Sequence, residues 1–145
     1  MAELQILRTL HPPELFIAQM ALLNEEIDRP ISPQFLLEKI NALPRNDRLL
    51  LAVEGDYLLG YAHLSVHSEL TGGDPVEIVD LVVRAQNRRQ GIGRQLLNAA
   101  ETWARASNHS SLMVHIDVQN SDVQAFLAAL HFDHYGSQFT FTRPL

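Results

Sequence analysis

The sequence predicts an α/β domain whose sheet is mixed rather than purely parallel. Two apolar runs, residues 49–53 and 57–66, flank Glu54-Gly55-Asp56 and read as a β-hairpin, which an all-parallel sheet lacks. Residues 76–83 form a β-branched run that leads through a glycine turn into a strongly amphipathic helix over 93–107. The 145 residues contain no internal repeat, low-complexity tract or linker, so one domain over 1–145 is expected.

The other elements follow from local pattern. Residues 4–9 alternate and predict a first strand, ended by His11-Pro12-Pro13. Leu15, Ile17, Ala18, Ala21 and Leu22 recur near helical spacing and predict a helix over 14–27. Ser32-Pro33 is a helix start, with serine as N-cap and proline in the first turn. Phe35, Leu36, Ile40 and Leu43 are expected to face inward until Pro44 stops that helix. In the 93–107 helix, Ile92, Leu96, Leu97, Ala100, Trp103 and Ala104 share one face, opposite Arg94, Gln95, Asn98, Glu101 and Arg105. Residues 111–118 predict another strand, and 122–130 a helix with Val123, Phe126, Leu127 and Leu130 inward. Residues 132–135 and 138–142 are expected to form a closing pair of short strands, apolar enough to pair across subunits in a homodimer.

Composition narrows the function. Hydrophobic residues make up 46 % and charged residues 19 %, the balance of a globular chain. Cysteine is absent, which excludes disulfides and thiolate chemistry and fits an intracellular setting. Met1-Ala2-Glu3-Leu4-Gln5 carries neither a basic stretch nor an apolar run of leader-peptide length, and no run approaches the ~20 apolar residues of a membrane span. A cytoplasmic protein with no membrane partner is therefore expected. Eleven basic residues against 17 acidic ones leave a net charge of −6, which argues against nucleic acid and suits an amine-bearing substrate. The histidines are scattered, without the spacing of a metal site.

The most informative segment is the turn Arg88-Arg89-Gln90-Gly91-Ile92-Gly93-Arg94, between the 76–83 strand and the long helix. A helix start leaves unpaired N–H groups and partial positive charge. Glycines at 91 and 93 let an anion approach those donors, and three arginines add charge around them. This makes a cradle for a pyrophosphate, although the same glycines also suit a tight strand-to-helix connection. A nucleoside-triphosphatase loop is excluded, since no Gly-x-x-x-x-Gly-Lys-Ser/Thr occurs. A dinucleotide fingerprint would want a third glycine where Leu96 stands.

This turn resembles the acetyl-CoA motif of the GNAT superfamily, Gln/Arg-x-x-Gly-x-Gly/Ala, met by Arg88, Gly91 and Gly93. The resemblance extends over residues 76–132, and it implies a three-layer α-β-α fold with a mixed, mainly antiparallel central sheet. It implies acetyl-CoA as co-substrate, its pyrophosphate on the backbone amides of Arg89, Gln90, Gly91, Ile92, Gly93 and Arg94. Its pantetheine arm would lie along Leu81, Val82 and Val83, with the Val83 N–H aimed at the thioester carbonyl. Asn120 stands where the family often places an asparagine against that arm.

The implied reaction is attack of a primary amine, small-molecule or peptide, on the thioester, and it needs a base. Glu77 matches in position the glutamate of histone-acetylating members, and also reads as a strand-edge carboxylate. Asp80, three residues on, falls on the opposite face of a regular strand unless a bulge intervenes; it also reads as a turn brace. His115, expected on the next strand, matches the catalytic glutamate of ribosomal-protein-acetylating members, and also reads as a hydrogen-bonded core histidine. The family's usual acid is a tyrosine where Leu127 stands, and His131 replaces the usual glycine. Leucine donates no proton, so Tyr135 and His131 are the nearby substitutes, with packing as the plain alternative for Tyr135. Leu127 also motivates a second reading, a non-catalytic acyl-CoA-binding module. The acceptor site is expected around the first two helices and terminal strands, which carry Phe16, Met20, Glu25, Glu26, Phe35 and Tyr57, then Phe139 and Phe141, in no recognisable pattern.

Overall fold

The computed structural model describes residues 3–145, so the leader-peptide reading of Met1 and Ala2 lies outside the described residues. Its elements run β1 (Leu4–Thr9), α1 (Glu14–Glu25), α2 (Pro33–Asn41), β2 (Arg48–Glu54), β3 (Tyr57–Val66), β4 (Val76–Val83), α3 (Ile92–Ala106), β5 (Leu112–Val114) and α4 (Ser121–Ala129). The chain forms two compact units, one running to Val114 and a second from His115 to Leu145.

In the first unit the strands lie in the order β1-β2-β3-β4-β5, antiparallel up to β4 and parallel between β4 and β5. Successive side chains on a strand point to opposite faces. Leu49, Leu51, Tyr61 and Val82 turn to one face and pack with Phe16, Ile17, Met20 and Leu23 of α1 and Ile40 of α2. The other face, with Leu50, Ala62, Leu64 and Ile78, is covered by α3 through the stripe Ile92, Leu96, Leu97, Ala100, Trp103 and Ala104. The GNAT-like α/β architecture expected from the turn is therefore present. The Ser32 N-cap also forms, its Oγ accepting the Phe35 N–H at 3.1 Å.

Several expectations are corrected. The helix expected over 14–27 ends at Glu25, with Leu15 and Leu22 exposed and Phe16, Met20 and Leu23 inward. Phe35 is half exposed, and Phe126 is exposed. The 111–118 strand shrinks to Leu112–Val114, since its ladder with β4 runs only from Val76 to Ile78. Residues 132–142 carry no strand: no backbone ladder pairs them, and an alternating sequence without a partner strand has nothing to hold it extended. Tyr135, Phe139 and Phe141 are exposed there.

Candidate active site

The site begins with a defect in the β3–β4 ladder. His63 pairs with Asp80 but Leu64 pairs with Ile78, so Val79 is an extra residue bulged out of β4. The bulge resets the alternation and puts Glu77 and Asp80 on the same face, the one covered by α1 and α2. The parallel ladder to β5 ends at Ile78, immediately before the bulge. Beyond it, the Arg84 N–H donates to Leu59 O at 2.7 Å, which fixes the direction of the alternating groups. The N–H and C=O groups of Leu81 and Val83 therefore point away from β3, along an edge that no strand of this unit pairs. Those of Val82 point towards β3.

That edge leads into the phosphate turn. A 3-10 turn, Ala85–Asn87, follows β4, and Gly91 caps α3 in the left-handed region at φ 80°. Arg89 is also left-handed at φ 66°. The Gln95 N–H is the first to close a helical bond, onto Gly91 O at 3.0 Å, which leaves the amides of Ile92, Gly93 and Arg94 at the helix mouth. A Cβ built on Gly91 would meet nothing within 4 Å, so the space before these donors is open. Arg88, Arg89 and Arg94 are exposed around it, and no acid occupies the first turn. The donor set and open approach fit a pyrophosphate. The corner before the turn is pinned: Arg84 donates to Leu58 O at 2.7 Å, and Ala85 N–H donates to Glu26 Oε2 at 3.0 Å.

On the α1–α2 side the bulge opens onto a cleft of about 660 Å³. Its polar edge is a network of Asn24, Arg29, Tyr61 and Asp80. Arg29 Nη1 donates to Asp80 Oδ1 at 2.8 Å and Nη2 to Asn24 Oδ1 at 2.9 Å. Asn24 Nδ2 donates to the Tyr61 hydroxyl at 2.8 Å. Pro30, Ile31, Phe35 and Leu36 form its apolar wall. Burial pushes the Tyr61 phenol up and, with Asp80 adding to the rise, outweighs the Asn24 and Arg29 contacts that favour the phenolate. For Arg29, burial works against the charge, but the Asp80 hydrogen bond and charge prevail and hold the guanidinium above its usual range.

The predicted residues are thus divided. Asp80 lines the cleft, whereas Glu77, outside its lining, is bonded to His67 Nε2 at 2.6 Å. Of the residues expected at the acceptor site, Phe35 lines the cleft. Phe16 and Met20 are buried core, Glu25 and Glu26 line a separate hollow beside Arg84, and Tyr57 is exposed on the hairpin. In the second unit, His115 stands one residue past the end of β5 and is exposed, rather than on the strand. Asn120 caps α4, its Oδ1 accepting the Val123 N–H at 3.2 Å. Leu127 is buried, His131 takes the left-handed conformation at φ 67° expected of the glycine it replaces, and Tyr135 is fully exposed on an irregular segment. Asn24, Arg29 and Tyr61 were not singled out by sequence. Their network joins positions up to 51 residues apart, and only Asp28-Arg29-Pro30, a polar break between two helices, marked the place.

Among the described residues, no group of three or more His, Asp or Glu could hold a metal ion, and no helix is long and apolar enough to cross a membrane.

The bulged sheet thus has a free edge that runs into a glycine-rich helix start. The sequence model of the acetyltransferase (GNAT) family matches residues 9–132, and the chain belongs to that family. Solved structures agree in fold. The aminoglycoside N-acetyltransferase AAC(6′)-Iy in complex with CoA superposes at a TM-score of 0.83 with 14 % identity, over 99 % of this chain and 97 % of that one. An aminoglycoside acetyltransferase from an uncultured soil metagenomic sample gives 0.81 at 19 % identity, over 97 % of each chain. A transcriptional regulator from Bacillus halodurans gives 0.80 at 20 % identity, over 96 % of this chain and all of that one.

Proposed function

We propose that this protein is an N-acetyltransferase that transfers the acetyl group of acetyl-CoA to a primary amine by direct attack in a ternary complex. The observation that carries this reading is the Val79 bulge, which both frees the Leu81–Val83 edge and turns Asp80 into the cleft beside it. The amides of the turn from Arg89 to Arg94 would hold the pyrophosphate, with Arg88, Arg89 and Arg94 screening its charge. Leu81 and Val83 would bond the pantetheine arm like an added strand, and the Val83 N–H would meet the thioester oxygen. A pre-oriented N–H stabilises a developing oxyanion by about 3 kcal/mol.

The amine lone pair forms the C–N bond, the C–S bond breaks, and sulfur leaves with the bonding pair as thiolate. The proton shed by nitrogen passes to Asp80 directly or through water, and the thiolate takes one proton from solvent. Asp80 is preferred over Glu77, His115 and Tyr135 because it is the carboxylate lining the cleft. Neutral Tyr61, held by Asn24, orders the same edge. Leu127 favours a second reading, an acyl-CoA-binding module without turnover.

The test is thiol release from acetyl-CoA with a panel of primary amines, for the protein and Asp80→Asn. A 10²- to 10⁴-fold fall in kcat, on the order expected of a lost base, supports the assignment. A change under about twofold removes Asp80 from it. Cofactor binding with no turnover of any amine leaves the binding-module reading in its place.

A further inference from the structure

We infer that the acceptor is a primary amine with a carboxylate beside the amino group and an apolar substituent, as in a hydrophobic α-amino acid. This rests on the acetyltransferase reading and adds the substrate class to it.

The charge of the cleft carries the inference. Although the chain as a whole is at −6, the cleft holds one anion, Asp80, and one cation, Arg29, in contact at 2.8 Å, and is neutral. A polyamine or aminoglycoside brings several positive charges and would find a single carboxylate already paired. Glu25 and Glu26 do not supplement it, since they face the separate hollow with Arg84. The second cation near the cleft increases the mismatch: Lys39 Nζ lies 5.3 Å from the centroid of the Phe35 ring that lines the wall.

An α-amino acid has the complementary pattern. Its two charged groups are attached to one carbon, and the Arg29 and Asp80 charges are in contact at 2.8 Å, so amine can face Asp80 while carboxylate faces Arg29. The groups needed remain available. Arg29 uses one donor each from Nη1 and Nη2, of the five N–H groups a guanidinium carries, and its side chain is 49 % exposed. Asp80 accepts from Arg29 through Oδ1. The substituent next to both charges would then lie on Ile31, Phe35 and Leu36, where a half-exposed phenyl ring offers apolar area to cover. Arg29 would also hold Asp80 in place, as a positioning residue for the base.

The test compares kcat/KM for L-phenylalanine, phenylalanine amide, 2-phenylethylamine and spermidine, with acetyl-CoA saturating. L-phenylalanine is expected to exceed the amide and 2-phenylethylamine by at least about tenfold, the worth of one charge-assisted contact, and spermidine by more. In Arg29→Gln the preference for the carboxylate should collapse towards unity through KM, and Arg29→Lys should restore part of it. Because the readout is a ratio between substrates on the same variant, a general loss of fold or of base positioning does not mimic it. Higher turnover of spermidine, the amide or 2-phenylethylamine would overturn the substrate class and leave the transferase reading standing. A preference unchanged in Arg29→Gln would remove Arg29 from recognition. No thiol release with any of the four, in protein that binds acetyl-CoA, would overturn this substrate class, and the wider panel of primary amines then decides the transferase reading separately.

Discussion

Gly60 ties the stability of the sheet to its open edge, and Gly60→Ala tests that tie. Gly60 lies opposite Val83 in the β3–β4 ladder. A Cβ placed there would stand 2.8 Å from Val82 O and 3.3 Å from both Val83 Cα and Ile92 Cγ2. The Ile92 methyl can move by side-chain adjustment, but Val82 O and Val83 Cα are backbone. Relief to ordinary contact at 3.4 Å displaces β4 by about 0.6 Å. Overpacking of this kind costs about 1–3 kcal/mol, and the lower entropy of alanine in the unfolded chain returns about 0.5–1 kcal/mol. The net loss is then at most about 2.5 kcal/mol, a fall in Tm of up to about 10 °C for a chain of this length. The displaced atoms belong to the strand that would bind the cofactor arm and to the first residue of α3. Acetyl-CoA affinity should therefore fall about 2- to 10-fold, the worth of one misaligned hydrogen bond. Thermal melting and calorimetric titration read the two effects. An alanine variant that melts at or above the parent and binds acetyl-CoA equally would refute the reasoning.

Two further predictions concern the buried polar groups. The Tyr61 phenol is raised in the folded protein above its ordinary value near 10, so between those two values the folded state holds a proton the unfolded state has lost. Its contribution to stability is therefore full below about pH 10 and lost as pH rises through the folded value; urea midpoints should fall above about pH 10, and Tyr61→Phe should flatten that decline. Asp47 is 2 % exposed and bonds His63 Nε2 at 2.8 Å. Asp47→Ala leaves that nitrogen without its partner and should cost about 1–3 kcal/mol by urea unfolding, with an unchanged midpoint counting against the pair.

Much of this arrangement was legible because it is local. The strands at 4–9 and 76–83 and the stripe of α3 follow from side-chain periodicity, and the N-cap at Ser32 from two adjacent residues. Gly91 was legible as part of the turn that opens α3, and it takes the left-handed cap there. The facing of Glu77 and Asp80 was legible only as a condition. Parity places them apart, and a bulge at Val79 is decided by how β3 and β4 pair rather than by the residues near it. The Arg29–Asp80 contact was illegible for the same reason, as it joins a loop to a strand through the fold. The net charge of −6 suited an amine-bearing substrate without locating it, since the cleft holds Asp80 alone of the acids. The closing strands failed where pattern outran partner: Phe139 and Phe141 alternate with threonines, yet no ladder takes them up.

The central claim is that the turn after β4 is an acyl-CoA pyrophosphate site, and calorimetric titration with acetyl-CoA tests it most directly, on the parent chain and on Gly91→Asp. Aspartate tolerates the left-handed backbone better than most residues and places a carboxylate into the open space before the α3 amides. Micromolar binding by the parent, weakened at least about 100-fold in a Gly91→Asp variant that still unfolds cooperatively, is the predicted result. No binding by the folded parent, or equal binding by the two, would contradict it.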